Sequence, residues 1–201
     1  CLVARRDGER RVSKKENVID MGVLEECLRD DLNVRALRAF AVLKPLKVTI
    51  TNYPEGKSET LNVPNHPQKP ELGRRDLPFS KEIFIEQDDV MENPPADYFR
   101  LSPGKEVRLR YSYIIRCDKV VKDAEGNIIE VEATYDPNTL GKNPEGRKVK
   151  GIIHWVPAKE AVPAEIRLYD RLFNIENPGA REDLTYGLNE NSLEIISNAF
   201  L

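Results

Sequence analysis

The chain has 201 residues, 31 Lys and Arg against 34 Asp and Glu, and 40% hydrophobic residues. That is enough apolar mass for one large domain or two modest ones, and with a net charge of only −3 it excludes a disordered chain. No run approaches the ~20 apolar residues of a membrane span, and three scattered Cys (Cys1, Cys27, Cys117) exclude a disulfide framework or a Cys-based zinc site.

A reducing, cytoplasmic setting is therefore expected, with no signal peptide read in the Arg-rich first residues. Cys1 to Val12 carries Arg5, Arg6, Arg10 and Arg11 with little apolar content and reads as a frayed entry; its start on Cys suggests a piece of something longer. Ser13-Lys14-Lys15-Glu16 has the form of a capping box. Val18 to Leu37 is the one convincing helix, with Ile19, Val23, Cys27 and Leu28 at three-to-four spacing. From Pro45 the period changes. Lys47–Thr51 and Glu82–Ile85 read as strands, the first ending in the turn Asn52–Gly56.

Glu106 to Tyr113 alternates strictly, so the spacing predicts one strand with Val107, Leu109, Tyr111 and Tyr113 on one face. Arg108, Arg110 and Ser112 take the other. Val120–Val121 and Ile128–Ala133 flank a hairpin loop at Asp123–Asn127. Gly151–Val156 and Glu165–Tyr169 read as a further pair of strands, and residues 195–201 as a strand beginning. Fourteen Pro and eleven Gly favour short strands and turns, hence antiparallel barrels or sandwiches. Pro137–Gly151 is the best internal boundary.

Charge is segregated along the chain. Residues 81–97 hold one Lys and six acids, residues 97–122 seven bases and three acids, residues 142–150 four bases and one acid, and residues 160–201 three bases and eight acids. Such blocks can present a basic face on an acidic body, the footprint of phosphate binding. No triphosphate-cradling loop occurs, and His66 and His154 are the only His, too isolated for a metal site or a Ser/His pair. No catalytic or metal-ligating residue is expected. Arg108 and Arg110, two residues apart on one strand face, lie ~7 Å apart, a spacing comparable to successive phosphates or splayed bases. Arg100 and Lys105 precede them, and Tyr98, Phe99 and Tyr111 add rings on which unpaired bases could stack. Pairing of these Arg with the acidic run 82–97 is the alternative, and spacing does not choose between the two.

Four segments then resemble a known family. Residues 65–75 (NHPQKPELGRR), 104–110 (GKEVRLR), 146–156 (GRKVKGIIHWV) and 165–173 (EIRLYDRLF), led in by 27–33 (CLRDDLN), look like the C-terminal, anticodon-binding half of bacterial glutaminyl-tRNA synthetase. The likeness runs from about Ser13 to Leu201. It implies a mainly β fold of two antiparallel β-barrels, the second one truncated, preceded by a short helical segment. The implied division is 1–40 basic tail and helical connector, 41–140 first barrel, and 141–201 linker and second, incomplete barrel.

The resemblance further implies recognition of glutamine tRNA within an ATP-dependent glutamine–tRNA ligase, with Mg accompanying the ATP. This chain would hold no cofactor and not catalyse by itself, its partners being the tRNA anticodon loop and a catalytic domain of the same polypeptide, in a monomer without a membrane partner. By position, Asn33 and Arg38 correspond to residues near the middle anticodon base, Arg100 to the reader of the third base, and Arg108 and Arg110 to the pair near the first. Gln68 aligns with an Asn close to the loop, and Lys105 and Tyr111 join the implied anticodon-binding set. Asp97 and Phe99 stand where the family has Gln and Lys, and Tyr111 where it has Asn. The related glutamyl enzyme, a ribosomal-protein-type rRNA-binding barrel, and a protein-interaction module with an acidic partner remain as rivals.

Overall fold

The computed structural model describes residues 5–6, 9–10, 20–180, 183 and 185–201. The capping box at Ser13–Glu16, together with Val18 and Ile19, lies outside them. Among the described residues, thirteen strands and one α-helix follow in chain order: β1 (Arg5–Arg6), β2 (Glu9–Arg10), α1 (Met21–Arg35), β3 (Pro45–Ile50), β4 (Ser58–Pro64), β5 (Arg74–Ser80), β6 (Glu82–Glu86), β7 (Glu106–Leu109), β8 (Ile114–Lys122), β9 (Ile128–Asp136), β10 (Ile152–Ile153), β11 (Val156–Pro157), β12 (Pro163–Tyr169) and β13 (Leu193–Phe200). The fold is mainly β. Two units are distinct: residues up to Arg38 with Asp170–Ser192, and Ala39–Tyr169 with Leu193–Leu201.

In the first unit, α1 starts at an Asp20 N-cap whose carboxylate accepts from the Gly22 amide at 2.7 Å. The helix ends at Ala36, whose amide donates to the Leu32 carbonyl. Arg171 reaches the carboxylates of Asp20 at 3.3 Å and Glu25 at 3.6 Å, tying segment 170–192 to the helix start.

In the second unit seven strands form one sheet in the order β10-β7-β8-β9-β3-β6-β11. The pairs β10–β7 and β9–β3 are parallel and the other four antiparallel. The outermost strands, β10 and β11, are separated by only His154 and Trp155, a stretch that spans at most ~11 Å. The sheet must therefore curl until its two edges are neighbours. Trp155, in that closing segment, is fully buried and meets Phe79 edge-on at 5.2 Å. Phe79 also packs on Tyr53 and Tyr113 at 5.3 and 5.2 Å. The β4–β5 hairpin delivers Phe79 with Leu61, Val63 and Leu77 to the same core.

Two expectations are corrected. Residues 106–113 are not one strand: β7 stops at Leu109, and the chain turns back with the Ser112 amide on the Leu109 carbonyl at 2.8 Å. Tyr111 sits in that turn at φ 62, a conformation no strand residue adopts, so strict alternation here spans a hairpin. Second, 151–156 and 165–169 do not pair with each other. β10 and β11 edge the seven-stranded sheet, while β12 pairs with β13, because the Pro-bearing link at 157–163 turns the chain away from it. The hairpin around Asp123–Asn127 forms as the spacing predicts. The Asp123 carboxylate accepts from the amides of Glu125 and Asn127, and Gly126 takes φ 89.

Candidate nucleic-acid interface

Arg100 sits where two clefts of the curled-sheet unit meet. Its Nη1 is 2.8 Å from Asp89 Oδ1; the Arg side chain remains 54% exposed and the Asp side chain 6%. Burial pushes the Asp89 carboxyl above its ordinary range, and the Arg100 charge opposes that shift. Pairing with the acidic run 82–97, the alternative left open by the spacing, therefore holds for Arg100.

It does not hold for Arg108 or Arg110. The Arg108 fork donates to backbone carbonyls: Ser112 at 3.0 Å, Thr139 at 2.8 Å, and Lys142. Those bonds fasten the β7–β8 turn to loop 139–142. Arg110 begins the turn. Its amide donates to the Ile153 carbonyl and its own carbonyl accepts from the Trp155 indole at 3.1 Å, so the backbone is fixed while the exposed guanidinium has no acidic partner among the described residues.

The cleft on one side of Arg100, about 430 Å³, is of mixed charge, walled by Lys44, Arg110 and His154 and by the acids Glu86, Asp88, Asp89 and Glu194. The cleft on the other side, about 670 Å³, is lined by Phe99, Lys105, Arg116, Lys148 and Lys150, with Glu106 as its acid. Arg116 is paired with Asp118 at 2.8 Å and Glu106 with Arg147 at 2.8 Å. Lys105 and Lys148 have no partner among the described residues, and Lys150 lies 4.6 Å over the exposed ring of Phe99. A wall of cations whose one acid, Glu106, is already paired with Arg147, next to an exposed ring, suits phosphates and unstacked bases.

Gly151 makes this cleft possible. A Cβ there would fall 1.8 Å from the Phe99 carbonyl oxygen, so only glycine lets segment 94–100 lie against β10. Arg147 fastens the basic stretch 142–150 to the sheet through Glu106 and, at 2.7 Å, Asp136. That contact holds the Asp136 carboxyl below its ordinary range.

Tyr111 belongs to a third feature. Its ring stacks on Phe40 with centroids 6.1 Å apart and planes 8° from parallel, and the Arg75 guanidinium lies 5.5 Å from the Phe40 ring. Tyr111 also lines a cavity of about 280 Å³ with Arg108, Arg110 and Lys142. Arg108 and Arg110 thus converge on one cavity, but through a turn rather than along a strand. Gln68 is exposed at the tip of the β4–β5 hairpin, its amide donating to His66 Nδ1 at 3.1 Å. In the helical unit Arg38 Nη2 donates to the Asn33 side-chain oxygen at 3.1 Å and to its carbonyl at 3.2 Å, joining those two residues.

Sequence reasoning missed Lys148 and Lys150 as site residues, though the excess of bases in 142–150 was the available signal. It also missed the Phe40–Arg75 support of Tyr111, which brings together positions 35 residues apart and leaves no local trace. Among the described residues no helix is long and apolar enough to cross a membrane, and no cluster of three or more potential metal ligands occurs.

Comparison with known proteins gives the family. A family model described as "tRNA synthetases class I (E and Q), anti-codon binding domain" matches residues 36–136, and a second of the same description matches residues 152–201. The chain is 56% identical over 188 residues to a glutamine–tRNA ligase of Pseudomonas syringae pv. tomato, covering 92% of this chain and 33% of that protein. It is 58% identical over 183 residues to the glutamine–tRNA ligase of Aliivibrio salmonicida, covering 90% and 33%. The chain spans about a third of the length of the curated relatives it matches.

Proposed function

This chain belongs to the anticodon-binding domain family of class I tRNA synthetases for glutamate and glutamine, and we propose that it reads the anticodon loop of a glutamine tRNA as part of a glutamine–tRNA ligase. The observation that carries this reading is the set of cations without acidic partners, Lys105, Arg110 and Lys148, gathered around the Arg100 fork on a chain of net charge −3. The relatives reported are glutamine–tRNA ligases, which favours glutamine over glutamate.

In this reading Arg100 meets the third anticodon base and Arg110 the first, with Arg108 holding the shape of the Arg110 cavity through its carbonyl bonds. Tyr111 stacks a base, Lys105 neutralises a phosphate, Gln68 lies beside the loop, and Asn33 with Arg38 serves the middle base. Residues 141–201, which carry the β12–β13 pair, are the linker and the incomplete second barrel. The whole ligase would join glutamine to tRNA with ATP and magnesium, and no residue of this chain is assigned to that step. A cytoplasmic monomer is proposed with it.

The experiment is filter binding of anticodon stem-loops that differ at one position. Arg100→Ala is expected to cost ~1–3 kcal/mol for the loop with the cognate third base and to relax choice at that position. Equal losses for every loop would reduce Arg100 to a phosphate contact.

A further inference from the structure

We infer that Asp89 is a positioning residue for base readout: a buried carboxylate that fixes the Arg100 fork, so that the remaining guanidinium N–H groups meet one base edge. The inference rests on the reading of Arg100 given above. An exposed Arg–Asp pair holds its geometry weakly, because both side chains keep rotamer freedom and water competes for each charge. The Asp89–Arg100 pair differs at its acid: the Asp89 side chain is 6% exposed and cannot turn to water, while the Arg100 side chain keeps 54% of its surface open to a ligand.

Asp89 is 4% exposed, and its second oxygen, Oδ2, is buried without a hydrogen-bond partner. Apart from Arg100, no cation lies within salt-bridge distance among the described residues. A buried carboxylate that lost its one counter-ion would be left as an uncompensated charge, so Arg100 is gripped. The backbone sets the pair in register. The Leu101 amide donates to the Asp89 carbonyl at 2.9 Å and the Met91 amide to the Leu101 carbonyl at 3.0 Å, bridging Val90 to Leu101. The other cationic groups of the same cleft, Lys44, Arg110 and His154, form no ion pair with Asp89 among the described residues, and Glu86, Asp88 and Glu194 are acids. A fork held in this way cannot swing to suit a wrong base, so the anchor adds discrimination rather than mere affinity.

The test is Asp89→Asn, which keeps the shape and removes the charge, in the 201-residue chain. Affinity is measured for a glutamine-tRNA anticodon stem-loop and for the same loop changed at the third anticodon base. Discrimination is expected to fall roughly ten-fold, through weaker binding of the cognate loop, while affinity for the changed loop stays the same. In the Arg100→Ala background the same substitution should add no further loss of discrimination. Thermal melting follows folding, and Asp89→Glu, which retains the charge but displaces it, should lower discrimination as well.

Full discrimination in both Asp89 variants, or equal losses for the two loops, overturns the inference. If Arg100→Ala abolishes discrimination while both Asp89 variants keep it, only the role of Asp89 falls. If Arg100→Ala itself leaves discrimination intact, the reading of Arg100 falls and the anchor with it.

Discussion

A guanidinium that donates to three carbonyls of its own chain is a structural clamp; one fixed only through its backbone is available to a ligand. Arg108 and Arg110 divide in this way, although their sequence context is nearly identical. Alternation located the inward residues of β7 correctly, since Val107 and Leu109 are buried. It could not separate the two Arg, because the carbonyls that bind Arg108 come from residues 112, 139 and 142. Tyr111 shows the same limit, its φ of 62 being set by the turn and its ring by Phe40. Tyr111→Gly relieves the left-handed backbone while removing the stack on Phe40. Chemical denaturation is expected to shift by no more than ~1 kcal/mol as these effects offset. RNA affinity should drop by ~1–3 kcal/mol for the lost stacking surface; unchanged affinity would leave Tyr111 a turn residue only.

Among the elements, those with local signals were legible. The helix, the β8–β9 hairpin and the strand near 82–86 are written in periodicity and turn residues that lie within ten positions of each other. The β4–β5 hairpin was not read as strands, although Leu61, Val63, Leu77 and Phe79 alternate, because its nine-residue connecting loop carries no tight-turn signature. The closing strands β10 and β11 are two residues each, too short to show a period, and their partners lie some 40 and 70 residues away. Gly151 is the position where this closure bears on the candidate site. In Gly151→Ala the new Cβ meets a backbone oxygen, not a flexible side chain, so segment 94–100 must move. Melting temperature is expected to fall, with a loss of ~1–3 kcal/mol, and discrimination at the third anticodon position to fall with it. A stable variant with intact discrimination would show that the Phe99 segment tolerates displacement.

At the scale of the molecule, binding and stability have separate ionic signatures. Affinity for a single-stranded loop should decline with salt at a log–log slope near 0.7 for each phosphate neutralised, by ~0.7 per cation engaged. Substituting Lys105 or Lys148 should each reduce that slope, measured by titration at several salt concentrations; a salt-independent affinity would exclude the electrostatic surface. Stability should depend on the buried Tyr113 and the half-buried Tyr98. Burial, with the Glu59 hydrogen bond second, pushes the Tyr113 hydroxyl up to about 12, and burial with the neighbouring Asp89 charge second does the same for Tyr98, each from an ordinary 10.0. The unfolded chain releases these protons first, so the folded state is unaffected below pH ~10 and loses stability as the pH rises from ~10 towards ~12. Denaturant midpoints measured across that window should decrease, and tyrosinate absorbance should appear late. The sequence by itself determined the mainly β class, the helix, the family and the excess of bases near the site, because these depend on residue type and near-neighbour spacing. Only the tertiary structure decided which Arg is anchored, which is clamped and which is open, because the Val90–Leu101 bridge that sets Asp89 beside Arg100, and the turn and loop carbonyls that hold Arg108, come from backbone packing that no local period encodes.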